Sequence, residues 1–106
     1  MMNILYMPIL AASLALSGNV FAADGEALMK KSNCTTCHTI DQKRLGPSFK
    51  DVAAKYKDDK GAQDALEKKI RNGGGGVWGK MPMPATTKTV SDDDIKGIVQ
   101  WVLSLK

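Results

Sequence analysis

Apolar residues at helical spacing organise most of the chain beyond Ala23. Phe49, Val52, Ala53 and Tyr56 recur at i, i+3, i+4 and i+7, which predicts a helix from about Ser48, just after Pro47. Ala62, Ala65, Leu66 and Ile70 mark another, which stops at Asn72 and Gly73 because glycine tolerates the left-handed backbone that a helix end needs. The strongest stripe is Ile95, Ile98, Val99, Val102 and Leu103, widened by Trp101 and Leu105. Ser91 can cap this helix, and Asp92, Asp93 and Asp94 sit where the macrodipole favours anions. A shorter helix is expected from about Asp24 to Ser32, with Asp24 as N-cap and Glu26 in the first turn, leading straight into Cys34. No strand-like alternation occurs in this part of the chain, so the expected class is all-α.

The segment before it follows a different pattern. Residues 1–22 carry no charged side chain and are dominated by apolar residues such as Ile4, Leu5, Ile9, Leu10, Leu14, Leu16, Val20 and Phe21. They close on Val20-Phe21-Ala22, with small residues where a signal peptidase reads, so residues 1–22 are expected to be a cleaved export signal. A membrane anchor is the competing reading. However, Pro8, Ser13, Ser17, Gly18 and Asn19 interrupt a run that would need about 20 apolar residues to span a bilayer. No stable membrane insertion is expected after cleavage, and the mature domain, 23–106, is expected in the periplasm.

A domain this short builds a meagre core and usually needs a disulfide, a metal or a cofactor to hold together. Its only two cysteines are Cys34 and Cys37, and a bridge between them would close too short a loop to restrict the unfolded chain much. A prosthetic group is the better candidate. The stretch from Gly73 to Val90 is too rich in Gly and Pro for regular structure, yet it holds Trp78, Met81 and Met83, which suit packing against something rather than disorder.

Cys34-Thr35-Thr36-Cys37-His38 is the attachment pattern of c-type haem. On a helical turn, residues at i, i+3 and i+4 share a face, so two thiols can add to two vinyl groups of one porphyrin while the imidazole reaches the iron from the same side. Three other readings compete. A simple disulfide suits an oxidising compartment, and a dithiol redox motif shares the spacing but normally sits in a βαβ setting. Zinc wants four N or S ligands, and two cysteines with the single histidine make three. With His38 on one side of the iron, a methionine, a lysine or an open position remains for the other. Met29 precedes the cysteines on the His38 side, which leaves Met81 and Met83 as the methionine candidates.

These residues resemble the small bacterial class I c-type cytochromes of the c-551/c-552 type. The resemblance rests on Cys34 to His38, Leu45-Gly46-Pro47, Asp51 to Tyr56, Gly76-Val77-Trp78-Gly79, Met81-Pro82-Met83-Pro84, and Ser91-Asp92-Asp93 leading to Trp101-Val102-Leu103-Ser104. It implies four short helices wrapped around one covalent haem c, the first and last helices crossing. It also implies Met83, between two prolines, as the axial methionine, and Met81 as its packing neighbour. By the same resemblance the Pro47 carbonyl accepts a hydrogen bond from the His38 ring, the Trp78 indole donates to a haem propionate, and Lys69 is a basic propionate partner. Thr86 stands where the family often has an asparagine near the ligand sulfur.

Such coordination implies a single-electron carrier and not an enzyme, because a six-coordinate haem has no vacant site and Met/His ligation raises its potential. The chain is expected to act as a monomer that docks transiently with redox proteins. By resemblance these are a quinol-oxidising complex upstream and a nitrite reductase, peroxidase or terminal oxidase downstream. The net charge of +4 suits an acidic partner surface, with Lys30, Lys31, Lys43, Arg44 and Lys80 as candidate contacts. No arginine-rich or aromatic-interleaved patch points to nucleic acid. The competing function is a haem sensor or small-ligand binder whose sixth ligand is absent or easily displaced.

Overall fold

A computed structural model describes residues 20–106. Most of the expected export segment, including the run that was weighed as an anchor, lies outside the described residues. Among those that are described, no helix is long and apolar enough to cross a membrane. The architecture is all-α: α1 (Val20–Lys31), a 3-10 turn (Cys34–Thr36), α2 (Phe49–Lys55), α3 (Ala62–Asn72) and α4 (Asp92–Ser104).

The four helices follow the apolar stripes, with local differences at their ends. Ser48 caps α2 and Ser91 caps α4, each accepting a hydrogen bond at 3.1 Å from the amide three residues on, Asp51 and Asp94. The α3 helix ends at Gly73 as expected, although with φ 71° and ψ −164° this glycine takes a positive-φ extended form rather than a left-handed helical one. The described part of α1 already includes Val20–Ala23, ahead of the expected Asp24. No helix breaker lies between Val20 and Ala23, so the continuous chain extends the helix backward, and Asp24 sits inside it rather than capping it.

The helix also does not run straight into the cysteines. Asn33, with φ 64° and ψ 20°, turns the chain in the left-handed region between α1 and Cys34, a conformation that asparagine adopts more readily than most residues.

Met29, Phe49, Val52, Ile98, Trp101 and Val102 form one buried cluster, with Cys34, Tyr56, Leu66 and Ile70 packed against it. Helices α1 and α4 cross where Gly25 meets Gly97 and Trp101. A Cβ on Gly25 would lie 2.6 Å from the Gly97 carbonyl oxygen and collide with the Trp101 side chain. The helices approach this closely because nothing protrudes from Gly25. Ala65, placed on the α3 stripe by its spacing, is exposed; the helix buries its contact face mainly through Ala62, Leu66 and Ile70.

Candidate functional site

The Cys34 to His38 segment is built from backbone hydrogen bonds that aim its side chains inward. Cys37 N–H donates to the Cys34 carbonyl at 3.2 Å, and His38 N–H donates to the same oxygen at 3.0 Å. The expected helical turn is therefore present over these residues, as a short 3-10 turn. Cys34 and Cys37 are half-buried and not joined to each other. Burial pushes the Cys34 thiol pKa up, outweighing a backbone hydrogen bond that lowers it, and Cys37 alongside adds to the rise.

His38 is held from several directions. Its Nδ1 lies 2.7 Å from the Pro47 carbonyl oxygen. A carbonyl can only accept, so Nδ1 carries the proton, and Nε2 is left with its lone pair free to ligate a metal. Phe49 stacks on the ring at 5.1 Å between centroids and 26° between planes, and itself meets Trp101 edge-on at 5.4 Å. Two further bonds lock the segment after His38 to the start of α2: Phe49 N–H to the Thr39 carbonyl and Lys50 N–H to that of Ile40, both 2.9 Å. These satisfy two of the free amides at the helix start, so α2 positions Pro47 and Phe49 against the imidazole.

All these side chains open onto one cleft with about 1330 Å³ of non-atom space, counting its open mouth. Cys34, Cys37 and His38 line it together with Pro47, and Phe49, Val52, Ile98, Val99 and Val102 supply apolar walls. The segment from Gly74 to Pro84 lines it too, bringing in Trp78, Met81 and Met83, and α3 contributes Lys69. Every expected site residue therefore borders the same cleft.

Within that segment, Gly74 and Met83 form an isolated antiparallel bridge, each donating its N–H to the other's carbonyl at 2.9 Å. Met83 is half-buried, whereas Met81 is 63% exposed. Trp78 stands at the rim with Lys55 Nζ 5.5 Å from its ring centroid, a cation–π distance.

Haem fits this site on the structure's own terms. Leu45, Val77, Trp78 and Met81 are the large exposed hydrophobic residues of the described chain, and all four border the cleft. Large apolar side chains gathered around one opening mark a binding site. A flat apolar ring system with polar edges suits that rim, two thiols and an imidazole are grouped to hold it, and a thioether lines the same space. Zinc does not fit: no group of three or more His, Cys, Asp or Glu residues that could hold a metal ion occurs among the described residues.

Of the cations expected at a docking face, Lys43 and Lys80 border the cleft. Lys30 instead pairs with Glu26 along α1 at 3.3 Å, and Lys31 and Arg44 are exposed away from the cleft lining. Phe49, Gly46 and Asn33 shape the site without having been singled out for it. The glycine beside Pro47 and the asparagine just before Cys34 were the available signals.

Comparison with known proteins agrees with this geometry. The cytochrome c family model matches residues 22–106. Cytochrome c-551 of Pseudomonas aeruginosa is 44% identical over 100 residues, covering 94% of each chain. Cytochrome c-552 of Nitrosomonas europaea is 46% identical over 96 residues, covering 91% of each. The crystal structure of the wild-type Nitrosomonas europaea cytochrome c552 superposes with a TM-score of 0.73 at 47% identity, covering 76% of this chain and 99% of that one.

Proposed function

Since the chain belongs to the cytochrome c family, and so is a haem c electron-transfer protein rather than an enzyme, we propose that it is a periplasmic single-electron shuttle whose iron is ligated by His38 and Met83. When bound, haem c supplies an iron that gains and loses one electron without making or breaking substrate bonds. The chain's own residues hold and tune it. Cys34 and Cys37 would hold it through two thioether bonds, the sulfur and hydrogen of each thiol adding across one vinyl double bond. His38 presents Nε2 while the Pro47 carbonyl holds Nδ1–H, which fixes the tautomer and strengthens the donor.

The observation that carries Met83 over Met81 is the paired bridge to Gly74, which pins the Met83 backbone beside the cleft while Met81 stays exposed at its edge. A thioether there favours the ferrous form and raises the potential. Trp78 and Lys69, both bordering the cleft, serve as donors to the propionates. Phe49, Val52, Ile98 and Val99 exclude water from the cofactor, which keeps its surroundings much alike in both oxidation states.

Lys43 and Lys80 at the rim face acidic partner surfaces in brief encounters of the small kind that redox complexes use. The partners are a quinol-oxidising complex and a reductase or terminal oxidase, served by a monomer. Exposing the reduced holoprotein to carbon monoxide tests this reading. The shuttle predicts an unchanged spectrum together with reversible one-electron titration. Ready carbon monoxide binding would instead identify a sensor with a displaceable sixth ligand.

A further inference from the structure

Arg71 makes a set of contacts that the site as described does not use. It lies in the last turn of α3, and its guanidinium reaches across to the segment that follows Met83. Nη1 donates to the carbonyl oxygens of Thr87 at 3.1 Å and, more weakly, Thr86 at 3.4 Å. Nη2 donates to the Val90 carbonyl and to Asp92 Oδ1, both at 2.7 Å. The Arg71 side chain is 23% exposed and that of Asp92 is 94% exposed. Water therefore screens the carboxylate contact, and the backbone carbonyls carry most of the clamp.

The segment they belong to has no regular structure of its own and must be ordered at a cost in conformational entropy. Thr86 N–H adds a tether to the Ile70 carbonyl at 3.1 Å. On the other side of Met83 stands its bridge to Gly74, two residues beyond α3. Met83 is thus strung between two anchorages that both root in the C-terminal end of α3. Loosening the downstream one frees the chain from Pro84 to Ser91 to slide relative to the cleft.

We propose that Arg71 is a positioning residue for Met83. Its fork binds the carbonyls of residues 86, 87 and 90, and so sets how firmly the Met83 thioether is held toward the iron. This rests on the reading of Met83 as the axial ligand. Lysine replaces arginine only in part here, because a point charge on a flexible stem reaches one carbonyl where the planar fork spans several.

The test uses the ferric holoprotein and compares the wild type with Arg71→Ala, Arg71→Lys and Met83→Ala. Ala53→Gly and Met29→Ala, core variants outside the cleft lining, supply the relation between lost stability and ligand exchange. Three quantities are read: the thioether-to-iron charge-transfer band, the rate at which added imidazole replaces the thioether, and the thermal midpoint. R71A is expected to exchange about tenfold faster than wild type, the effect of losing a hydrogen-bonded charged group, with R71K between them. The core variants are expected to exchange at the wild-type rate despite lower midpoints.

A wild-type exchange rate in R71A overturns the proposal. So does acceleration in the core variants that matches R71A at equal loss of midpoint, since Arg71 would then act only through global stability. Should R71A fail to accumulate as holoprotein, R71K against the core variants decides by the same criteria. Persistence of the band in M83A overturns the ligand assignment itself, a separate result from any behaviour of Arg71.

Discussion

Gly46 lies so close to His38 that a Cβ on it would stand 2.7 Å from Nδ1 and 3.0 Å from Nε2 of the ring. The glycine is there for space, with its own N–H bound to the Cys37 carbonyl at 2.8 Å and the carbonyl of the next residue, Pro47, accepting the hydrogen bond from the imidazole Nδ1–H. Substitution Gly46→Ala forces either the ring or the backbone away. The expected result is a loss of about 1–3 kcal/mol in stability, with a shifted reduction potential. Denaturant unfolding and redox titration of the holoprotein check both; wild-type values would show that the loop yields without disturbing His38.

Gly25→Ala sets two effects against each other. Alanine in a helix interior gains up to about 1 kcal/mol over glycine, but here the methyl collides with Trp101 and the Gly97 carbonyl across the helix crossing. Backbone on the facing helix has little room to move, so overpacking prevails, and a net loss of about 1–3 kcal/mol is expected in urea unfolding. A stabilised Gly25→Ala protein would contradict the close crossing of α1 and α4.

The two serine caps make the same bond at 3.1 Å but differ in burial. Ser48 is 2% exposed and Ser91 is exposed. Water can replace the lost acceptor at Asp94 N–H but not readily at Asp51 N–H. Ser48→Ala is therefore expected to cost about 2 kcal/mol and Ser91→Ala about 1 kcal/mol or less. Equal costs in parallel thermal melts would count against burial as the deciding factor.

Asn33 occupies left-handed backbone just before Cys34. Asn33→Gly is expected to preserve or slightly raise stability, whereas Asn33→Val should lose about 1–2 kcal/mol and lower the yield of holoprotein. Comparing the two variants by thermal melt and by covalent haem content checks this. A valine variant as stable as the glycine one would contradict the strain.

Much of this architecture is legible in the residues because it is local. The stripe from Ile95 to Leu103, the Ser91 cap with its three following aspartates, and the end of α3 at Gly73 all depend on neighbours within a turn or two. The Cys34 to His38 spacing is likewise a local signature, and two side chains and a ring need little more than one turn to share a face. Other features arise only when distant segments meet. Phe49 stacks on His38, Met83 bridges to Gly74, and Arg71 reaches the carbonyls beyond Met83; each joins residues whose pairing no helical period encodes. The place of Asp24 inside α1, rather than at its start, is hidden for a different reason. Asp24 is a good N-cap by type, but a cap residue ends a helix only where the preceding chain does not continue it.

The ligand pair is tested most directly by the ferric spectrum and reduction potential of Met83→Ala beside Met81→Ala. The account predicts that Met83→Ala loses the thioether-to-iron charge-transfer band, falls in potential and binds carbon monoxide when reduced, while Met81→Ala keeps the band with little change in potential. Retention of the band in Met83→Ala, or its loss in Met81→Ala, would contradict it.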